Sequence, residues 1–198
     1  MRYTFDSILT CAPTPWDAGT CKHAAFCGHL ETLQWARQNR CPWDAETCMC
    51  DAFGGHLAVL QWARKHGCPW NENTCALAAK GGHQDVLQWA HEHGCPSGAP
   101  TCGSAAAQGH LDILRWLRIN GCPWDARACQ CAAANGHLEV LKWLHFNGCP
   151  WDKLTWRAAT MMGQLHILQW AQQHNCPKDD SEDDSGEESD EDSEEDSE

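Results

Sequence analysis

The chain has 198 residues, of which 42% are hydrophobic, and a formal net charge of -13. Fourteen of its 27 acids fall in 179–198 beside no base, so 1–178 sets fourteen Lys and Arg against thirteen acids and is close to neutral. That excludes a basic stripe and argues against direct nucleic-acid binding. No apolar run approaches the ~18 residues of a membrane span. Nor does Met1-Arg2-Tyr3-Thr4-Phe5-Asp6 resemble a secretory leader. The expected address is intracellular, cytoplasmic or also nuclear, with thiols kept reduced.

Taken in order, residues 1–13 come first. Tyr3, Phe5, Ile8 and Leu9 stand at the places of a second helix, one period early, so 1–13 reads as an N-terminal capping half-repeat. From 14 to 178 one block recurs every 27 residues: Cys41-Pro42, Cys68-Pro69, Cys95-Pro96, Cys122-Pro123, Cys149-Pro150 and Cys176-Pro177. A fixed period of this length is the signature of a stacked array. Each block reads as loop, short helix, tight turn and longer helix. In 122–148 the loop is Cys122-Pro123-Trp124-Asp125, with Asp125 as N-cap, and Asp17, Asp44, Asn71 and Asp152 share its place. Cys129, Ala132 and Ala133 give the first helix a small face. Gly136-His137 turns the chain, and Leu138, Val140, Leu141, Trp143 and Leu144 give the second helix a broad apolar face. Gly148 ends it, as do Gly67, Gly94 and Gly121, with Arg40 the exception. The expected fold class is all-α, a helix-turn-helix solenoid of six repeats. The last segment, 179–198, is Asp, Glu, Ser and one Gly, the composition of a disordered acidic tail.

The fifteen cysteines fall largely into two columns, one opening the loops and one in the first helices (Cys21, Cys48, Cys75, Cys102, Cys129). Stacked helices lie roughly 8–10 Å apart, and a disulfide needs Cα atoms within about 7 Å. A column therefore cannot bridge to itself, and the cysteines read as small buried side chains. Trp35, Trp62, Trp89, Trp116, Trp143 and Trp170 read as core by periodicity. Trp16, Trp43, Trp70, Trp124 and Trp151 form a row in the loops, either packing or offering an aromatic strip to a partner. That row breaks at Ser97-Gly98.

The stretch Thr74-Cys75-Ala76-Leu77-Ala78-Ala79-Lys80-Gly81-Gly82-His83, followed by Val86-Leu87, resembles the core of an ankyrin repeat, T-P-L-H-x-A-A-x-x-G-H-x-x-V-V-x-x-L-L. The resemblance covers 14–175. The period is 27 where that family has 33, and Gly-Cys-Pro-Trp-Asp stands in place of the β-hairpin finger. Such short variants resemble arrays of large DNA viruses, brown algae and oomycetes. A viral origin would place the chain in the host cytoplasm. The resemblance implies a structural, backbone-bridging role for the turn residues His29, His56, His83, His110 and His137. It also implies that first helices and loop tips meet a partner protein.

Chemistry at a single site finds little support. Cys48-Met49-Cys50, Cys129-Gln130-Cys131, His23 with Cys27, and His91-Glu92-His93 each fall short of the four ligands of tetrahedral zinc. No serine sits in a Gly-x-Ser-x-Gly turn. The chain therefore reads as no enzyme, without cofactor or metal, and as a monomeric protein-protein interaction scaffold or adaptor. Its candidate contact residues are Trp43, Trp70, Trp124, Trp151, Glu72, Asn73, Arg127, Gln130, Lys153 and Arg157, with Lys22, His23 and Met49 also variable on that face. One alternative is a histone or basic-protein chaperone acting through the tail, and a weaker one is a thiol-rich metal-binding protein. Ser181, Ser185, Ser189 and Ser193 each precede an acid by three residues and are candidate phosphorylation sites.

Overall fold

The computed structural model describes residues 17–178. The expected cap at 1–13, Trp16, the tail at 179–198 and its four candidate serines lie outside the described residues. Twelve helices alternate short turns and loops: α1 (Ala18–Phe26), α2 (Leu30–Gln38), α3 (Ala45–Gly54), α4 (Leu57–Lys65), α5 (Glu72–Gly81), α6 (Gln84–Glu92), α7 (Ala99–Ala107), α8 (Leu111–Ile119), α9 (Ala126–Ala134), α10 (Leu138–Phe146), α11 (Lys153–Met161) and α12 (Leu165–Gln173). No strand occurs among the described residues. The architecture is an all-α solenoid of six helix pairs without fingers.

Local chemistry sets each boundary. Asp17, Asp44, Asn71, Asp125 and Asp152 accept backbone amides at the starts of the first helices. Such caps satisfy amides that the first turn leaves free. Gly98 has no side chain to do so, yet Thr101 Oγ1 accepts its amide at 3.4 Å, as Thr47, Thr74 and Thr155 do for their own caps. Arg40 and Asn175 take the left-handed conformation where the other repeats use glycine, with φ of 63° and 57°.

The odd-numbered helices stack directly on one another through small faces such as Ala78-Ala79, Ala105-Ala106 and Ala132-Ala133. Successive even-numbered helices, bearing Leu and Trp, make far less mutual contact. Between the two rows lie Leu33, Leu60, Leu87, Leu114 and Leu141, all with no exposed surface. Turn residues fasten the second, third, fifth and sixth repeats to the one before. His56, His83 and His137 present Nε2 to the carbonyls of Phe26, Phe53 and Ala107 at 3.1, 3.0 and 3.1 Å. In the last repeat Gln164 Nε2 donates to Ala134 O at 3.2 Å, the same bond made by an amide.

The division of the tryptophans does not hold. Among the second-helix tryptophans only Trp170 is buried; Trp35, Trp62, Trp89, Trp116 and Trp143 are half-buried. The apolar face of a second helix is wide enough to fill the core with Leu and Ala alone and still present Trp at its edge. Trp43, Trp70, Trp124 and Trp151 pack on those same rings edge-on or tilted, with centroids 5.6–5.9 Å apart. Both sets form one layer.

Candidate interaction surfaces

Two surfaces run the length of the array. The first is the row of first helices. Glu72 and Asn73 open α5, Arg127 lies in the first turn of α9, Lys153 opens α11, and Arg157 follows one turn later; all five are exposed. They form two groups, polar on the third repeat and basic on the fifth and sixth. Between them α7 presents Ala99 and Pro100. Gln130 is half-buried and tied into the stack, its amide donating to both oxygens of the Asp152 cap at 3.1 and 3.2 Å. Lys22 makes a similar link, to Asp44 at 3.2 Å and to Glu46, and these partners push its ammonium pKa up. His23 is exposed and Met49 half-exposed.

The second surface is a ridge along the last turns of the second helices. Here Trp43, Trp70, Trp124 and Trp151 lie, packed on second-helix rings. The Arg37, Arg64 and Arg118 guanidinium groups sit 4.1, 4.0 and 4.2 Å from the centroids of Trp43, Trp70 and Trp124, within cation–π range. Arg37 and Arg64 also donate to the carbonyls of Cys41 and Cys68, which fixes them over the rings. His66, His93 and His174 stack on Trp62, Trp89 and Trp170 at 4.2 Å. In the fifth repeat His145 replaces arginine and lies 4.2 Å from Trp151, with burial and the nearby His174 holding its pKa below the ordinary range. Two shallow clefts one repeat apart repeat this chemistry, lined by Gln34, Arg37, Trp62 and His66, and by Gln61, Arg64, Trp89 and His93. Ile119 and Phe146 stand exposed on the ridge, at 84% and 70%.

The interior holds two features that the periodic reading missed. The two cysteine columns meet: Cys75 Sγ donates to the backbone carbonyl of Cys95, twenty residues on, at 3.9 Å. Cys21 Sγ reaches the Cys41 carbonyl in the same way, at 4.0 Å. The loop thiols also donate to the cap carbonyls of the preceding repeat, as Cys41 does to Asp17 O at 3.1 Å and Cys95 to Asn71 O at 3.3 Å. Every cysteine among the described residues is a free thiol. No cluster of three or more His, Cys, Asp or Glu suited to a metal ion occurs among the described residues.

The other feature is Asp51. It has no exposed surface, and neither carboxylate oxygen has a partner. Burial, with Cys68 adding to it, pushes its pKa from 3.8 up to about 8. Its counterparts are Ala24, Ala78, Ala105, Ala132 and Ala159, so the alignment of repeats carried the signal.

No helix among the described residues is long and apolar enough to cross a membrane. A family model described as ankyrin repeats (many copies) matches residues 102–145. The crystal structure of the human ASB11 ankyrin repeat domain is similar in fold, with a TM-score of 0.60 and 14% identity over 83% of this chain and 85% of that one. No curated protein matches the chain in sequence.

Proposed function

We propose that the chain is an ankyrin-repeat protein, a non-enzymatic scaffold or adaptor that binds another protein through its first-helix row. The observation carrying this reading is the contrast between stacking and display. The positions that stack repeats hold Ala, Cys, Thr, Leu and His again and again, while the exposed starts of the first helices change from Glu72-Asn73 to Arg127 and Lys153. A surface that varies on a constant frame can be matched to one partner without altering the fold. The free, buried thiols suit a reducing, intracellular compartment. The array acts as a monomer, with 14–178 as the folded unit.

A second reading has its own support in the fourteen acids of 179–198, which would attract basic proteins such as histones. Phosphorylation at Ser181, Ser185, Ser189 and Ser193 would add to that charge. Affinity capture with the full chain, and with a chain ending at 178, separates the two. The scaffold reading expects the same partner in both captures. Loss of every specific partner on removing the tail transfers the function to 179–198.

A further inference from the structure

We propose that the ridge over the first two repeats is the docking surface for this chain's own acidic segment, 179–198. Arg37 and Arg40 lie at and just after the end of α2, and Arg64 and Lys65 end α4, while 35–41 and 62–68 contain no acid. The matching stretches of the later repeats, 89–95, 116–122, 143–149 and 170–176, hold one base, Arg118, and one acid, Glu92. Positive charge is therefore gathered at one end of the ridge. Among the described residues no carboxylate pairs with these four bases, whereas Lys22, Arg115 and Lys142 each have one.

The two arginines are held ready for an anion. Trp43 and Trp70 take one face of the Arg37 and Arg64 guanidinium groups, and one nitrogen of each donates to a loop carbonyl. A guanidinium has five N–H donors in a fixed fork, so others remain for a carboxylate. Each arginine also lines a cleft, of about 400 Å³ with Trp62 and His66, and of about 310 Å³ with Trp89 and His93.

Charge and reach name the occupant. The segment 179–198 carries fourteen acids and no base. The first-helix bases match it less well: Arg127 stands two residues from the Asp125 cap and Lys153 directly follows Asp152, so a carboxylate offsets each. The segment leaves the array after Cys176-Pro177-Lys178, at the far end of the ridge. With stacked helices roughly 8–10 Å apart, the second repeat lies roughly 32–40 Å from there. At about 3.3 Å per extended residue, about 12 residues span that distance. The last eight, 191–198, hold six acids and fall on the four bases. Tethering gives these acids an effective concentration on the order of mM, so a contact too weak between separate molecules is filled within one chain. It leaves the first-helix row open.

The test joins carboxylates to lysine amines in the dilute full-length chain with a zero-length carbodiimide, at low salt and at about 0.5 M salt. Trypsin then releases 179–198 as one peptide, since it holds no Lys or Arg, and its amide links are mapped by mass. Lys65 is the reporter, and Lys80 and Lys153, exposed on first helices, are the controls. Lys65 should link to the segment severalfold more than either control at low salt, and the excess should vanish at high salt. Arg40→Gly should lower the Lys65 yield, and Arg37→Gln with Arg40→Gly should lower it severalfold. Thermal melts confirm folding, and Arg40→Gly alone decides should the double variant unfold. In a mixture of isotope-labelled and unlabelled chains the links should fall within single chains. A Lys65 yield no greater than that of Lys153, a yield indifferent to the variants, or links chiefly between labelled and unlabelled chains overturns the proposal.

Discussion

The His83 ring lies where a side chain on Gly55 would have to go: a β-carbon there would fall 2.4 Å from the imidazole. Gly55 also has a φ of 80°, so it meets two demands at once. The left-handed turn needs it, and the next repeat's histidine uses the vacated space to reach Phe53 O. Gly55→Ala should therefore cost about 2–3 kcal/mol, from backbone strain of about 1–2 kcal/mol and a weakened inter-repeat hydrogen bond. Gly67, with nothing within 4 Å of its missing β-carbon, should lose only the backbone part. Urea melts of Gly55→Ala and Gly67→Ala compare the two directly.

Asp51 should be a weak point of the stack. Asp51→Ala restores the residue that its counterparts carry and removes an unpartnered buried carboxyl, so it should stabilise by about 1–3 kcal/mol. The gain should depend on pH. The folded carboxyl keeps its proton up to about 8, whereas the unfolded one releases it near 3.8. The folded state thus binds more protons between those values, and wild-type stability falls as pH rises through that window. Thermal melts at pH 4 and pH 8 should show the variant's advantage growing toward pH 8. A constant difference would show that the carboxyl is not held neutral.

Trp70 and Trp89 should behave as a couple. Their centroids are 5.9 Å apart at 64°, an edge-on contact, and both are half-buried. Single replacements by alanine should cost similar amounts. A double-mutant cycle should return about 0.5–1.5 kcal/mol of coupling. Additive losses, with Trp89 much the larger, would restore the split between core and loop rings.

Arg40 is the one left-handed residue before a loop cysteine in the first five repeats that is neither glycine nor asparagine. Arg40→Gly should raise stability by about 1 kcal/mol, or a few degrees in Tm.

Helix pairs, caps and terminating glycines were legible because each rests on contacts within a few residues. Asp125 caps an amide two residues on, and Gly148 ends the helix that precedes it. The tryptophans were not, because a 3.6-residue period tells which helix face is apolar but not how deep each residue sits in it. Leu141 and Trp143, two residues apart, project to different sides of the helix, and only Leu141 is buried. The meeting of the cysteine columns was missed for a different reason. Cys75 and Cys95 are twenty residues apart, and only the path of loop and helix pair brings the Cys75 sulfur to 3.9 Å from Cys95 O. On the contact surface, the exposure of Glu72, Asn73, Arg127, Lys153 and Arg157 follows from their places in the first turns. Trp43, Trp70 and Trp124 each lie under an arginine six residues earlier, a cation–π contact that no periodicity reveals.

The central claim is that the first-helix row binds a protein, and one measurement bears on it most directly. The triple variant Arg127→Glu, Lys153→Glu, Arg157→Glu would be compared with wild type for partner affinity and for Tm, in the full-length chain. The expected result is a Kd weakened by about tenfold or more, with Tm shifted by no more than a few degrees, since these positions are exposed. An unchanged Kd, together with loss of binding when 179–198 is removed, would contradict the claim and assign partner binding to the acidic segment.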